Sequence, residues 1–273
     1  KEHSNRSKTV NEFYQQLKTV YNVESISDDR KNYLSDLMNK YGYIPYSYSK
    51  ACSELSDAEV LFVVEKKWEQ NGVLVNGNLT FNNPSVLARN NVTNSQWIQK
   101  EGHDIKLINL AGLGDNSAEY TGKMINWLRQ LAILPTGNID AGIFNTTMYL
   151  IPFHPREFGC AYLPSSSEAS SVLEDAHLKE LTGADATEQV RNFITYAQLA
   201  GHPVIYDVLP QTGRFSKAVL ANPFIARWYD INALIDELDK CVDKVAETLK
   251  EENNPEDIDL VKEIYKQSML SLI

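Results

Sequence analysis

Two short apolar runs, separated by a helical pattern, give the chain its clearest organisation. The first run is Met148 to Pro155 and the second is Pro203 to Pro210, and prolines and glycines bound them. Between them, residues 187–200 carry apolar side chains at roughly helical spacing. A strand, a crossover helix and a second strand form a βαβ unit, whose strands pair in parallel. A buried helix segment and an antiparallel pair are the alternatives, and the prolines and glycines disfavour the helix.

A third strand and a second crossover helix precede this unit. Ile105 to Leu110 is a strand candidate, and a turn with two glycines follows it at residues 111–115. Ser117 begins a helical pattern that continues to Leu131, and Pro135 ends it. The turn lacks the third glycine of the dinucleotide-binding fingerprint, so a tight turn is the better interpretation. The order strand, helix, strand, helix, strand fits successive units of an α/β barrel or an open parallel sheet.

The first hundred residues carry amphipathic helical patterns preceded by polar caps. Three helices are predicted, over residues 11–21, 30–41 and 57–68. Serines and acids at 27–29 and 56–59 cap the second and third of these helices. The polar first ten residues are expected to fray. Asn-Gly pairs at 71–72 and 76–77 predict a short hairpin.

Beyond Ser216 the pattern becomes helical again. Residues 232–250 form a long amphipathic segment, and Pro255 begins another helix with acids in its first turn. The chain therefore divides into a mainly helical N-terminal region, an α/β barrel-like core and a C-terminal helical pair, over residues 1–100, 101–230 and 231–273. Because a barrel needs about eight strands to close, the sheet is open or is completed by residues outside this chain.

Composition and charge exclude several classes of function. The chain has 273 residues, of which 43% are hydrophobic, a net charge of -10 and a pI of about 5.0. Nucleic-acid binding depends on clustered Lys and Arg, so an acidic chain without a basic run is a poor match. The longest apolar runs are too short to span a bilayer. Three widely spaced cysteines, Cys52, Cys160 and Cys241, favour buried thiols, and neither a metal site nor a cofactor is predicted.

The loops after the second and third strands hold the candidate binding residues. His154 lies in the first of these loops, Asp207 interrupts the last apolar strand, and Arg214 follows it. Ligand sites of α/β barrels and open parallel sheets lie at the carboxyl ends of the strands. Because an unpaired buried carboxylate is costly, Asp207 either pairs with a partner such as Arg214 or faces a polar cleft. His202, which precedes a proline at a strand start, is expected at the surface.

Several segments together resemble the early barrel of the alpha-amylase superfamily. In that family a strand ending in proline leads into a loop with a Gly-Tyr pair, then a helix ending A-H-x-x-G and a strand reading D-V-V-x-N-H. Here the first strand and loop run from Met148 to Tyr162, and the helix ends A-Q-L-A-G at Gly201. The next strand reads D-V-L-P-Q-T from Asp207. The resemblance covers about residues 105–216.

The resemblance implies roles for individual residues. Tyr162 is expected under a sugar ring, and Asp207 is expected as the structural aspartate near the cleft floor. His154 and Arg214, in the adjoining loops, complete the predicted substrate-binding set. Gln211-Thr212 replaces the family's Asn-His pair, which puts one sugar contact in doubt. The family's nucleophile, acid/base and third carboxylate lie on later strands, so the catalytic residues of this chain stay unknown.

The residues and the resemblance predict a carbohydrate-active protein, similar to the N-terminal half of an alpha-amylase-type glycosidase, that acts on or binds alpha-glucans. The alternative is a noncatalytic structural or carbohydrate-binding protein with a degenerate barrel. The expected partner is an oligosaccharide or alpha-glucan, and a second chain or fragment is a candidate for completing the barrel. The acidic charge, the first residue Lys1 and the resemblance favour a periplasmic or secreted location, and a cytoplasmic one stays open.

Overall fold

The structure of the chain is a computed structural model. It describes residues 2–81, 104–113, 124–135, 146–155, 164–166 and 168–207, together with scattered helical positions between 236 and 267. The chain forms two compact units, Lys1–Leu220 and Ala221–Ile273. In the second unit, the described positions from Asp236 to Glu247 are helical, in agreement with the helix predicted over 232–250.

Four helices open the first unit, and their bounds are α1 Glu2–Tyr21, α2 Asp28–Tyr41, α3 Tyr48–Glu54 and α4 Asp57–Gln70. The side chain of Ser27 caps α2, and Ser56 forms a reciprocal capping box with Glu59 at the start of α4. The three predicted helices are therefore confirmed. α1 begins at Glu2, earlier than the predicted helix start at residue 11. Once the packed part of a helix has formed, extending it by further residues costs little.

A short antiparallel hairpin follows α4. Its strands are β1 Leu74–Val75 and β2 Asn78–Leu79, and they confirm the predicted hairpin. Asn76 and Gly77 make the turn with φ values of 51° and 75°, the left-handed backbone that Asn-Gly turns adopt. The Asn11 side chain exchanges two 2.7 Å hydrogen bonds with the backbone of Leu79 and so fastens the hairpin to α1.

A three-stranded parallel sheet lies after the hairpin. Its strands are β3 Ile105–Ile108, β4 Thr147–Leu150 and β5 Val204–Tyr206, in that spatial order. The register places Leu107 opposite Tyr149 and Tyr149 opposite Ile205. The predicted strands and their parallel pairing are confirmed. The described part of the chain is thus a mixed α/β fold with helices and a parallel sheet.

The remaining helices lie between the strands in sequence, and they are α5 Met124–Ile133, α6 Ala176–Thr182 and α7 Ala186–Leu199. The predicted crossover helices correspond to α5 and α7. α6 was not predicted, and neither was α3. The helices of this part and the N-terminal helices share one hydrophobic core. Within it, Trp68 of α4 donates to the Tyr196 carbonyl of α7 at 3.1 Å, and Trp127 of α5 packs on Phe193. The predicted boundary near residue 100 stays a prediction.

Two further properties of the described residues bear on the sequence expectations. None of the helices among them is both long and apolar enough to cross a membrane. The Cys52 thiol is exposed, so the expectation of a buried thiol is wrong at this position. Cys160 and Cys241 lie outside the described residues.

Candidate functional site

The carboxyl edge of the parallel sheet brings an acid and a phenol together. Asp207 directly follows β5, and its backbone N–H lies 3.4 Å from the Leu150 carbonyl of β4. The hydroxyl of Tyr149 donates a hydrogen bond to Oδ1 of Asp207. Tyr149 pairs with Ile205 in the register, and Asp207 lies two residues further along, so both side chains stand on one face of the sheet. Among the described residues, Asp207 therefore has Tyr149 as a hydrogen-bond partner.

An aromatic group lies at the same edge of the sheet. The Phe153 ring lies 6.0 Å from the Tyr206 ring and 4.7 Å from the His154 ring, measured between centroids. Tyr206 pairs with Leu150 in the register, so its side chain stands on the face of the sheet opposite to Tyr149 and Asp207. We call Tyr149, Phe153, His154, Tyr206 and Asp207 the carboxyl-edge cluster.

The orientation of His154 is set by the backbone that faces it. Nδ1 of His154 lies 2.9 Å from the Glu168 carbonyl oxygen. Since a carbonyl oxygen only accepts, Nδ1 carries the hydrogen, and Nε2 of the neutral ring is then a hydrogen-bond acceptor. The adjoining backbone is held as well, because Ser170 N–H donates to the Phe153 carbonyl at 2.9 Å. His154 is half-buried, and its imidazole is fixed beside the edge of the sheet.

The two faces of the sheet differ in their surroundings. Ile108, Met148 and Leu150 are buried in the core. On the opposite face, Ile105 and Leu107 are 60% and 62% exposed. Parallel sheets normally have both faces covered. On this second face the side chains of β3 are thus apolar and exposed, whereas Thr147 of β4, opposite Ile105, is fully buried, and Tyr149 follows it on the same face.

The opposite, amino edge of the sheet holds a buried lysine. Nζ of Lys67, on α4, donates to the carbonyls of Leu131 and Leu134 at 2.6 and 2.7 Å and lies 3.2 Å from Nε2 of His202. Nδ1 of His202 lies 2.9 Å from the Thr146 carbonyl. His202 is fully buried, so the expectation that it is a surface residue is wrong.

The hydrogen bonds of this pair constrain where its protons lie. Nδ1 of His202 must donate to the Thr146 carbonyl oxygen. A single proton therefore lies between Nε2 of His202 and Nζ of Lys67. Burial lowers the pKa of Lys67, and burial together with the Lys67 charge lowers the pKa of His202. The arrangement is a buried lysine hydrogen-bonded to two carbonyls and to an imidazole. It satisfies carbonyls at the end of α5 and ties that end to the beginning of β4 and β5.

The predicted binding residues divide into two pairs. Asp207 and His154 both belong to the carboxyl-edge cluster. Tyr162 and Arg214 lie outside the described residues. Sequence reasoning missed Tyr149 as a member. The signal was its position one residue before the end of β4, on the same face as Asp207. Using that signal requires the register of β4 against β5.

Neither a metal-binding cluster among the described residues nor a relative assigns a chemistry to this edge. Among the described residues, no group of three or more His, Cys, Asp or Glu side chains is placed to hold a metal ion. Comparisons with protein-family models, with curated proteins and with solved structures give no match to this chain.

Proposed function

We propose that the carboxyl-edge cluster binds an alpha-linked glucan, and that the chain supplies the early βα units of an alpha-amylase-type barrel. One observation carries the proposal: the Asp207 carboxylate stands at the carboxyl end of a parallel strand and is held there by the Tyr149 hydroxyl. In α/β folds this is the end of the sheet where ligands bind.

The chemistry of the cluster suits a sugar. A carboxylate has about four lone-pair positions, so Asp207 can accept hydrogen bonds from sugar hydroxyls in addition to the one from Tyr149. On the other face of the same edge, Phe153 and Tyr206 provide apolar ring surface, and Tyr206 is 48% exposed. Nε2 of His154 adds a further acceptor. A site with aromatic walls and a few fixed polar groups is the usual composition of a small-molecule site.

The strand order supports the barrel part of the proposal. β3, β4 and β5 are adjacent in the order in which they occur in the sequence, and all of them are parallel. Barrels are built by this same successive addition of strands. The apolar, exposed side chains of Ile105 and Leu107 correspond to the interior of a barrel. Further strands, from elsewhere in the chain or from a second chain, would cover them.

The proposal assigns binding to this chain and leaves hydrolysis to further strands. Retaining glycosidases use two carboxylates about 5–5.5 Å apart across the scissile bond. Asp207 corresponds by resemblance to a structural aspartate rather than to either of those carboxylates. The same resemblance, with the net charge of -10, favours export to the periplasm or the medium. Cell fractionation with an antibody to the native protein tests that location.

Calorimetric titration with maltoheptaose tests the binding site. Asp207→Asn removes the charge that sugar hydroxyls bond to, and it should weaken binding about tenfold or more. Tyr149→Phe removes the hydroxyl that holds Asp207 and should weaken binding by about fivefold. Tyr206→Phe is the matched control, because it removes a tyrosine hydroxyl from the same edge but leaves the Asp207 bond intact, and it should change little.

Two outcomes of this titration would contradict the proposal. If the wild-type protein gives no saturable heat with maltoheptaose, the edge does not bind alpha-glucan, and the structural-protein alternative is favoured. If Tyr149→Phe and Tyr206→Phe weaken binding equally, the Tyr149–Asp207 hydrogen bond has no particular part in it.

A further inference from the structure

A groove separate from the carboxyl-edge cluster lies between α1 and the junction of α6 with α7. Its volume is about 480 Å³, within the usual range for small-molecule sites of about 300–1,000 Å³. Glu12, Phe13 and Gln16 of α1 form one wall, and the first turns of α7, with Arg191 and Asn192, form the other. No residue of the carboxyl-edge cluster lines this groove.

The groove contains a buried amide that has no hydrogen-bond partner. Asn192 is completely buried, and neither its Oδ1 nor its Nδ2 makes a hydrogen bond. Gln189, also completely buried and one turn earlier on α7, shows the usual arrangement. Its side chain bonds to the backbone of Asp175, at 2.8 and 3.0 Å, and to the Ala184 carbonyl at 3.0 Å. Buried polar groups are nearly always satisfied, and an exception calls for an explanation.

The other side chains of the groove indicate which ligand would satisfy Asn192. Glu12 offers acceptors, Arg191 offers donors, and the amides of Gln16 and Asn192 offer both. The Arg191 guanidinium lies 3.6 Å from the Glu188 carboxylate, so its charge is offset within the groove. Phe13 adds an apolar surface. The groove holds three carboxylates, those of Glu12, Asp185 and Glu188, against the one guanidinium of Arg191. This acidic excess disfavours an anionic ligand, and the mixed donors and acceptors fit a neutral molecule with many hydroxyl groups.

Access to Asn192 depends on the side chains at the rim. The Arg191 and Glu12 side chains are 67% and 65% exposed. Exposed side chains change rotamer within picoseconds to nanoseconds. Displacement of these rim side chains is the route by which the proposal lets a ligand reach the amide.

We propose that this groove is a second binding site, for a neutral sugar or polyol, and that Asn192 is its specificity-determining residue. The ligand class follows from the side chains of the groove itself. The inference therefore does not depend on glucan binding at the carboxyl edge.

Thermal unfolding of two leucine variants tests the state of the amide. Asn192→Leu replaces an unpartnered amide by an apolar side chain of similar shape, so its Tm should equal or exceed that of the wild type. Gln189→Leu is the matched control, because it removes a satisfied amide from the same helix, and its Tm should fall. A fall in Tm for Asn192→Leu as large as that for Gln189→Leu would overturn the inference, since it would mean that Asn192 has partners.

Binding is measured with maltose as the probe. Calorimetry on the wild type, Asp207→Asn and Asn192→Leu is combined with amide NMR shifts of Gly183, which lines the groove. Asn192→Leu should weaken maltose binding at the groove about tenfold and abolish the Gly183 shift, whereas Asp207→Asn should preserve both. The wild-type NMR titration alone keeps the inference testable if Asn192→Leu does not fold.

The outcomes separate the two sites. Binding that survives Asp207→Asn but not Asn192→Leu supports the groove and does not bear on the carboxyl edge. Binding that survives Asn192→Leu unchanged, or a Gly183 amide that does not respond to maltose, overturns the groove and leaves the edge standing. Absence of maltose binding in the wild type overturns the groove, and the edge is then decided by its own titration with maltoheptaose.

Discussion

Lys67 is the residue whose replacement should reveal most about how the fold is held together. In Lys67→Met the apolar stem is kept, so little cavity is expected, but the ammonium is lost. The carbonyls of Leu131 and Leu134 and Nε2 of His202 then lose their partner inside the core. Each buried group left unsatisfied costs about 1–3 kcal/mol. Removing the buried charge offsets part of this cost, and we expect a net destabilisation of about 3 kcal/mol.

The assay is equilibrium urea unfolding, and the neighbouring lysine provides the control. Lys66 is partly exposed and pairs with Glu69 at 2.7 Å. Lys66→Met removes the same charge from the same helix, and the loss of an exposed ion pair should cost less than about 1 kcal/mol. If Lys67→Met is as stable as Lys66→Met, the three hydrogen bonds of Lys67 do not stabilise the fold and the reasoning is refuted.

Two further predictions concern pH and backbone conformation. Burial and Lys67 lower the pKa of His202, so the unfolded chain binds a proton near pH 6.5 that the folded chain does not. The resulting stability is present above pH 6.5 and falls below it by up to about 1.4 kcal/mol per pH unit, until the lower folded pKa is reached. Urea unfolding at pH 7.5 and 5.5 measures this loss of stability. If the His202→Gln variant keeps the same pH dependence of its unfolding free energy, the loss is due to other groups. Gly77→Ala places a side chain at φ 75° and should lower the unfolding free energy by about 1 kcal/mol, whereas an unchanged value would mean that the hairpin turn relaxes without cost.

The sequence was most informative where local signals agree with one another. Apolar runs bounded by proline and glycine located β4 and β5, and the long crossover between them required parallel pairing. Capping residues located α2 and α4 within a few residues. α3 and α6 were missed because each has seven residues, which is too short to display helical periodicity.

What the sequence could not supply depends on contacts between distant residues. His202 is buried because Lys67, 135 residues earlier, lies against it. A histidine beside a proline shows nothing of that partner in its local sequence. The Tyr149–Asp207 hydrogen bond likewise spans 58 residues and follows from the strand register. The unpartnered amide of Asn192 could not be distinguished from that of Gln189 by its position on the helix, because both are buried.

The central claim, that Asp207 at the carboxyl edge binds an alpha-linked glucan, is tested most directly at the carboxylate itself. The side-chain carboxyl carbon of Asp207 can be followed by NMR in ¹³C-labelled protein, with Asp207→Asn identifying its signal. We predict a saturable shift of this signal on addition of maltoheptaose and a much smaller one with the beta-linked cellohexaose. A carboxyl signal that does not respond to maltoheptaose, or that responds equally to both oligosaccharides, would contradict the claim.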